Sequence, residues 1–185
     1  MGYQYDIFIS YRRVGATRKW VNDIFLPILD DIISLELGYD PTHYIDTQIE
    51  AGSAWPLSIA EALSKSKIMI PLWSITYLES IWCKCEISHM LTREAKTGFK
   101  TVEKNIGLVF PTVINDGETL PISLSISQKV EIQNYYVPFM DVNSKSAEEL
   151  YRTLKPYGMA ISKSIKNAPN WENDWKIDTM NEFYN

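Results

Sequence analysis

Short apolar runs alternate along this chain with longer stretches in which apolar residues recur every three or four positions. The first run is Tyr5-Asp6-Ile7-Phe8-Ile9-Ser10, closed by Tyr11, Arg12 and Arg13. A short unbroken run of this kind predicts a central parallel strand, apolar on both faces. Residues 17–37 then place Trp20, Ile24, Phe25, Ile28, Leu29, Ile32 and Ile33 on one helical stripe. Pro27 is expected to kink or divide that helix, and Gly38 to stop it. Residues 42–46 predict a second, shorter strand, followed by a polar loop. Ser53 offers an N-cap and Pro56 a first-turn proline for a helix continued by Leu57, Ala60 and Leu63.

Residues 67–73 predict the third strand, and residues 76–97 a helix ended by Gly98. Residues 106–114 predict a fourth strand whose second half Pro111 places at an edge or a bulge. A turn at Asn115-Asp116-Gly117 follows, and residues 129–137 predict a fifth strand. Ser146-Ala147-Glu148-Glu149 has capping-box spacing and opens a last helix, which Pro156 and Gly158 are expected to break. Strand and helix thus alternate about five times. The implied class is α/β, a central parallel five-stranded sheet with helices on both faces. Ligands of such sheets bind beyond the carboxyl ends of the strands. Residues 10–13, 46–55 and 74–86 all follow predicted strands and should converge there. We find no internal repeat and no low-complexity linker.

Composition narrows the partners. The chain has 185 residues, 45% hydrophobic and 22% charged, with net charge −5. One domain with a real core is expected. Without a basic block, nucleic acid is a poor partner. No apolar run reaches the roughly 18–20 residues that cross a bilayer. The N-terminus lacks a basic region followed by an apolar stretch. The two cysteines, Cys83 and Cys85, are too few and too close for a disulfide framework. A cytoplasmic location is therefore expected, with neither membrane nor nucleic acid as partner.

The candidate chemistry is one of elimination and position. The chain has no G-x-G-x-x-G after a strand, no phosphate-binding G-x-x-x-x-G-K-[ST] and no G-x-S-x-G elbow. The first strand ends in Tyr11, Arg12 and Arg13 rather than an acidic cluster, which suits an anionic ligand. Cys83 and Cys85 are spaced C-x-C, and of the two histidines, His43 and His89, the first belongs to another loop, so no metal is expected. Glu86 lies four residues after Trp82 and shares a helix face with it. A flat apolar wall beside a lone carboxylate suits a ribose bearing an aromatic base. An ordinary surface glutamate and a core tryptophan are the plain alternatives.

Taken together, these segments resemble the TIR (Toll/interleukin-1 receptor) domain family over roughly residues 4–165. Tyr5-Asp6-Ile7-Phe8-Ile9-Ser10-Tyr11 matches its first-strand box. Residues 46–55, with Gly52, resemble its loop after the second strand. Residues 73–86, ending Ile81-Trp82-Cys83-Lys84-Cys85-Glu86, resemble the exit of its third strand and its Trp-Cys-x-x-Glu motif. The resemblance implies a flavodoxin-like TIR fold over residues 1–166; residues 167–185 have no counterpart in it, and their aromatics Trp171, Trp175, Phe183 and Tyr184 suggest a tail docked on the domain.

It also implies an enzyme that takes NAD+ as substrate, with no resident cofactor, and breaks the nicotinamide–ribose bond. Glu86 would be catalytic. Ser10, Tyr11, Arg12, Arg13, Asp46, Ser74 and Trp82 would bind substrate, and the 46–55 loop would gate the site and mediate TIR–TIR self-association. Catalytic TIR domains of bacterial Thoeris-type antiphage defence resemble this arrangement, in which a nucleotide product acts on a separate effector. A non-catalytic TIR adaptor is the alternative, and an unrelated flavodoxin-like module binding flavin or phosphate is a third reading.

Overall fold

The structure is a computed structural model that describes residues 2–45, 57–101, 106–119, 129–172 and 175. Five strands form one parallel sheet: β1 (Tyr5–Tyr11), β2 (His43–Ile45), β3 (Ser66–Trp73), β4 (Thr112–Val113) and β5 (Val130–Glu131), in the order β2-β1-β3-β4-β5. β1 and β3 are central, and Ile7, Phe8, Ile9, Ile68, Met69 and Ile70 are buried on both faces. That is the pattern the apolar runs predict. The helices are α1 (Thr17–Trp20), α2 (Leu26–Leu37), α3 (Leu57–Ser64), α4 (Ile75–Glu79), α5 (Ile81–Lys96) and α6 (Lys145–Lys166). Right-handed crossovers place α2 on one face, because β1 to β2 runs leftward, and α3 and α5 on the other. α6 packs beside α2.

Several elements meet or depart from their sequence expectation for stated reasons. The helix over 17–37 is interrupted just before Pro27, as expected of that proline. A π-helical turn at Val21–Phe25 joins α1 to α2, and Pro27 falls in the first turn of α2, where its missing donor costs little. Gly38 ends α2 at φ 81°, as a left-handed C-cap. Residues 76–97 split at Ser80, whose backbone is extended and whose hydroxyl accepts from Cys83 N. α6 starts one cap earlier than expected, at Ser144 rather than Ser146. The proposed second-strand loop and the Ser53 cap lie outside the described residues.

The fourth strand is broken where two prolines meet. Met69 N donates to Leu108 O, and Phe110 N donates to Met69 O. In a regular parallel ladder the N–H of residue 71 would then reach Phe110 O. Residue 71 is Pro71, which has none, and Pro111 follows on the other strand. The stranded carbonyl is served from α6, because the Tyr157 hydroxyl donates to Phe110 O at 2.6 Å. The ladder resumes at Leu72 and Thr112. Tyr157→Phe removes the only proton offered at that gap by α6. We expect it to cost about 1–3 kcal/mol, the penalty of a buried unpaired carbonyl, measured by denaturant unfolding. The fifth strand is likewise shorter than 129–137 and gives way to a 3-10 turn at Gln133–Tyr135.

The segment after α6 packs on the amino-terminal end of the sheet. Pro169 O accepts from the Tyr3 hydroxyl at 2.7 Å. Trp175 is buried, with its ring 5.7 Å from Tyr3 and 4.1 Å from the Arg93 guanidinium. Arg93 is itself buried and donates to Ser66 O and Leu63 O, joining α5 to the α3–β3 corner. Trp175 therefore covers the cation and ties α5 to the start of β1. Trp175→Ala is expected to lower stability by about 3 kcal/mol through lost aromatic burial and cation–π contact, seen as a fall in melting temperature. Among the described residues no helix is long and apolar enough to cross a membrane.

Candidate functional site

The carboxyl ends of β1 and β3 carry the chemistry. β1 delivers Ser10 opposite Pro71, and then Tyr11 opposite Leu72. β3 delivers Ser74, which N-caps α4 by accepting from Tyr77 N at 3.2 Å. After the break at Ser80, α5 turns Cys83, Glu86, Met90 and Arg93 inward at helical spacing. Glu86 is only 4% exposed. A buried carboxylate needs partners, and Ser10 supplies one: its hydroxyl donates to Glu86 Oε2 at 2.5 Å. The Tyr77 hydroxyl lies 2.8 Å from the same Ser10 oxygen. Three polar side chains from β1, α4 and α5 thus meet inside the protein.

Around them the packing is apolar. Trp73, Tyr77, Cys83 and Val113 form a small separate core, flanked by Leu78 and Ile87. Burial raises the Tyr77 phenol well above its usual range, with Cys83, at the high pH where its thiol would itself ionise, and Glu86 adding to the rise. Tyr77 is therefore neutral and retains its proton to donate. Burial, with the Glu86 carboxylate adding, pushes the Cys83 thiol up to about 12. A protonated thiol is neither nucleophile nor metal ligand. Among the described residues no three His, Cys, Asp or Glu side chains converge as a metal site would need.

A cleft of about 140 Å³, whose lining does not include Ser10, Tyr77 or Glu86, opens at the ends of the same strands. Arg12, Ser74, Thr76, Asn115, Asp116 and Tyr136 give it a polar lining that includes one cation. Asp116 Oδ2 accepts from Ile75 N, so the loop after β4 holds the start of α4. Arg12 also acts electrostatically on Cys83, which places its charge within reach of the α5 corner.

A family model for the TIR domain matches residues 7–154. The chain belongs to the TIR domain family. No curated protein sequence matches it. The TIR domain of the Toll-related receptor TRR-2 from Hydra magnipapillata is similar at 14% identity, over 82% of this chain and 99% of that one, with a TM-score of 0.50. The TIR domains of the activated Roq1 resistosome are similar at 18% identity, over 88% of this chain and 84% of that one, with a TM-score of 0.42. At this identity the first likeness is one of fold.

Within this TIR domain the sequence-derived site residues take different places. Ser10 and Glu86 are in direct contact. Arg12 and Ser74 line one cleft, though Ser74 also has a structural task as N-cap. Tyr11 and Arg13 flank Arg12, both half-buried. Trp82, in the first turn of α5, is half-buried, and the side chain that joins Glu86 against the small core is Cys83 instead. Asp46 lies outside the described residues. Sequence reasoning passed over Tyr77. Its only local signal is the Ser74 cap three residues earlier, and nothing local announces that its hydroxyl meets β1.

Proposed function

We propose that this TIR domain cleaves NAD+ at the nicotinamide–ribose bond, giving nicotinamide and an ADP-ribose product that is linear, cyclic or conjugated. The observation that carries the reading is the buried Glu86 carboxylate, held by Ser10 at the carboxyl end of the sheet, where a cleft bearing Arg12 also opens. Nicotinamide is cationic in NAD+ and departs neutral, so the reaction requires no general acid. The transition state is oxocarbenium-like at the ribose carbon, as in glycoside hydrolysis. A single carboxylate that accepts from the ribose hydroxyls stabilises the developing positive charge. Low polarity around Glu86 strengthens that attraction. Arg12 suits the pyrophosphate, and Trp82 suits the wall of the nicotinamide riboside.

Assembly through TIR–TIR contacts belongs to the same proposal, with the 46–55 loop as its gate. So does a role as a signal generator in bacterial antiphage defence, with a separate effector reading the product. The test is NAD+ turnover at high protein concentration, wild type beside Glu86→Gln, with products identified by mass spectrometry. Turnover that depends on Glu86 supports the enzyme, and the product mass separates hydrolysis from cyclisation or conjugation. Absence of turnover in both proteins, even under forced assembly, supports a non-catalytic adaptor.

A further inference from the structure

We infer that Tyr77 is a positioning residue for Glu86, acting through Ser10 as the first donor of a directed chain of hydrogen bonds. The inference rests on Glu86 being the working carboxylate of the proposed reaction. Its geometry is independent of that reading. Ser10 has one hydroxyl proton, and it goes to Glu86 Oε2 at 2.5 Å. In its contact with Tyr77 at 2.8 Å, Ser10 must therefore accept, and Tyr77 must donate. The order is Tyr77 O–H to Ser10 Oγ, then Ser10 O–H to Glu86 Oε2. The Cys83 carbonyl, 3.4 Å from the Tyr77 hydroxyl, is the weaker acceptor.

Each link has a cause. Tyr77 is fully buried and neutral, so its proton stays in place. α4 is anchored twice at its N-terminal end, by the Ser74 cap and by Asp116 accepting from Ile75 N. Donation from Tyr77 polarises the Ser10 hydroxyl and strengthens its bond to the carboxylate. A stronger bond to the carboxylate favours its charged form, against the burial that opposes it. The relay also prevents Ser10 from rotating away, so the carboxylate is presented in one orientation when ribose hydroxyls arrive. Among the described residues, the ionisable groups that act on Glu86 include Tyr77 from α4 and Cys83 and Cys85 from α5, with Arg12 at the β1 exit acting on Cys83. Burial raises the thiol of Cys85 as well as that of Cys83, so both are uncharged near neutral pH.

The test compares Tyr77→Phe, Ser10→Ala and the double variant in the full chain. Two readouts are taken: the titration of Glu86 by carbon-13 NMR of its carboxyl, and the pH profile of NAD+ cleavage. Tyr77→Phe is expected to move the Glu86 titration and the acid limb of kcat to higher pH. It is expected to lower the kcat plateau about tenfold, the weight of one charge-linked hydrogen bond. Ser10→Ala should move both further. In the Ser10→Ala background, Tyr77→Phe should then have no additional effect, because its route to Glu86 is gone. An independent effect of Tyr77→Phe in that background, or an unmoved Glu86 titration in the single variant, overturns the relay. If wild type shows no turnover, the proposed function fails while the NMR titrations still decide the relay.

Discussion

Replacing Glu86 with glutamine is expected to lower NAD+ cleavage by at least about 10²–10³-fold, the range seen when a placed electrostatic stabiliser is removed. Glutamine keeps the shape and can still accept from Ser10. It removes the negative charge that the oxocarbenium-like transition state requires. Because the effect is confined to the transition state, kcat should fall and KM should change little. Folding should survive, since a neutral amide is easier to bury than a carboxylate that is only 4% exposed. The measurement is turnover at saturating NAD+ with melting temperature as control. Equal turnover in variant and wild type would mean that another residue does the work. A variant that melts well below wild type would mean that Glu86 holds the α5–β1 junction rather than the chemistry.

Gly158→Val is expected to destabilise the fold by about 3 kcal/mol, near the top of the range for overpacking a filled core. A Cβ built at Gly158 would lie 2.5 Å from Ile32 Cγ2 and 3.2 Å from Ile32 Cβ. The contact is between α6 and α2, the most extensively packed helix pair. The helices approach this closely because residue 158 has no side chain. The melting temperature should drop by roughly 2–4 °C per kcal/mol for a chain of this size. Ile32→Ala should partly rescue Gly158→Val while destabilising the wild type on its own, a coupling that separates the clash from a general helix effect. Additive losses in the double variant would show that the two helices are not limited by this contact.

Gly158 also shows where local reading stops. Pro156 and Gly158 are the expected breakers of the last helix, yet α6 runs without a break from Lys145 to Lys166. Pro156 sits on the exposed face, where the carbonyl it leaves unpaired, that of Arg152, meets water. Gly158 is buried against Ile32, so what reads as a weak helix position is the contact point of two helices. Leu150, Leu154, Ile161 and Ile165 are buried at helical spacing on either side, and their burial outweighs both local penalties. Pro71 and Tyr157 make the same point. A proline in a central strand is a local defect, and a tyrosine 86 residues later, from another element, supplies the missing proton.

The amino-acid sequence by itself determined the five-strand alternation, the parallel sheet, the resemblance to the TIR family and the convergence of residues 10–13 and 74–86 on one edge. Those follow from periodicity, turn residues and motif order, which are local properties carried by consecutive residues. The tertiary structure decided what the local signals leave open. It placed the unheralded Tyr77 behind Ser10, gave Ser74 a capping role, and turned Cys83 rather than Trp82 into the small core with Tyr77. It also brought Trp175 onto Arg93 across more than eighty residues. The physical reason is that a side chain's hydrogen-bond partner and the room around a glycine depend on which distant surfaces meet, and no local periodicity encodes that.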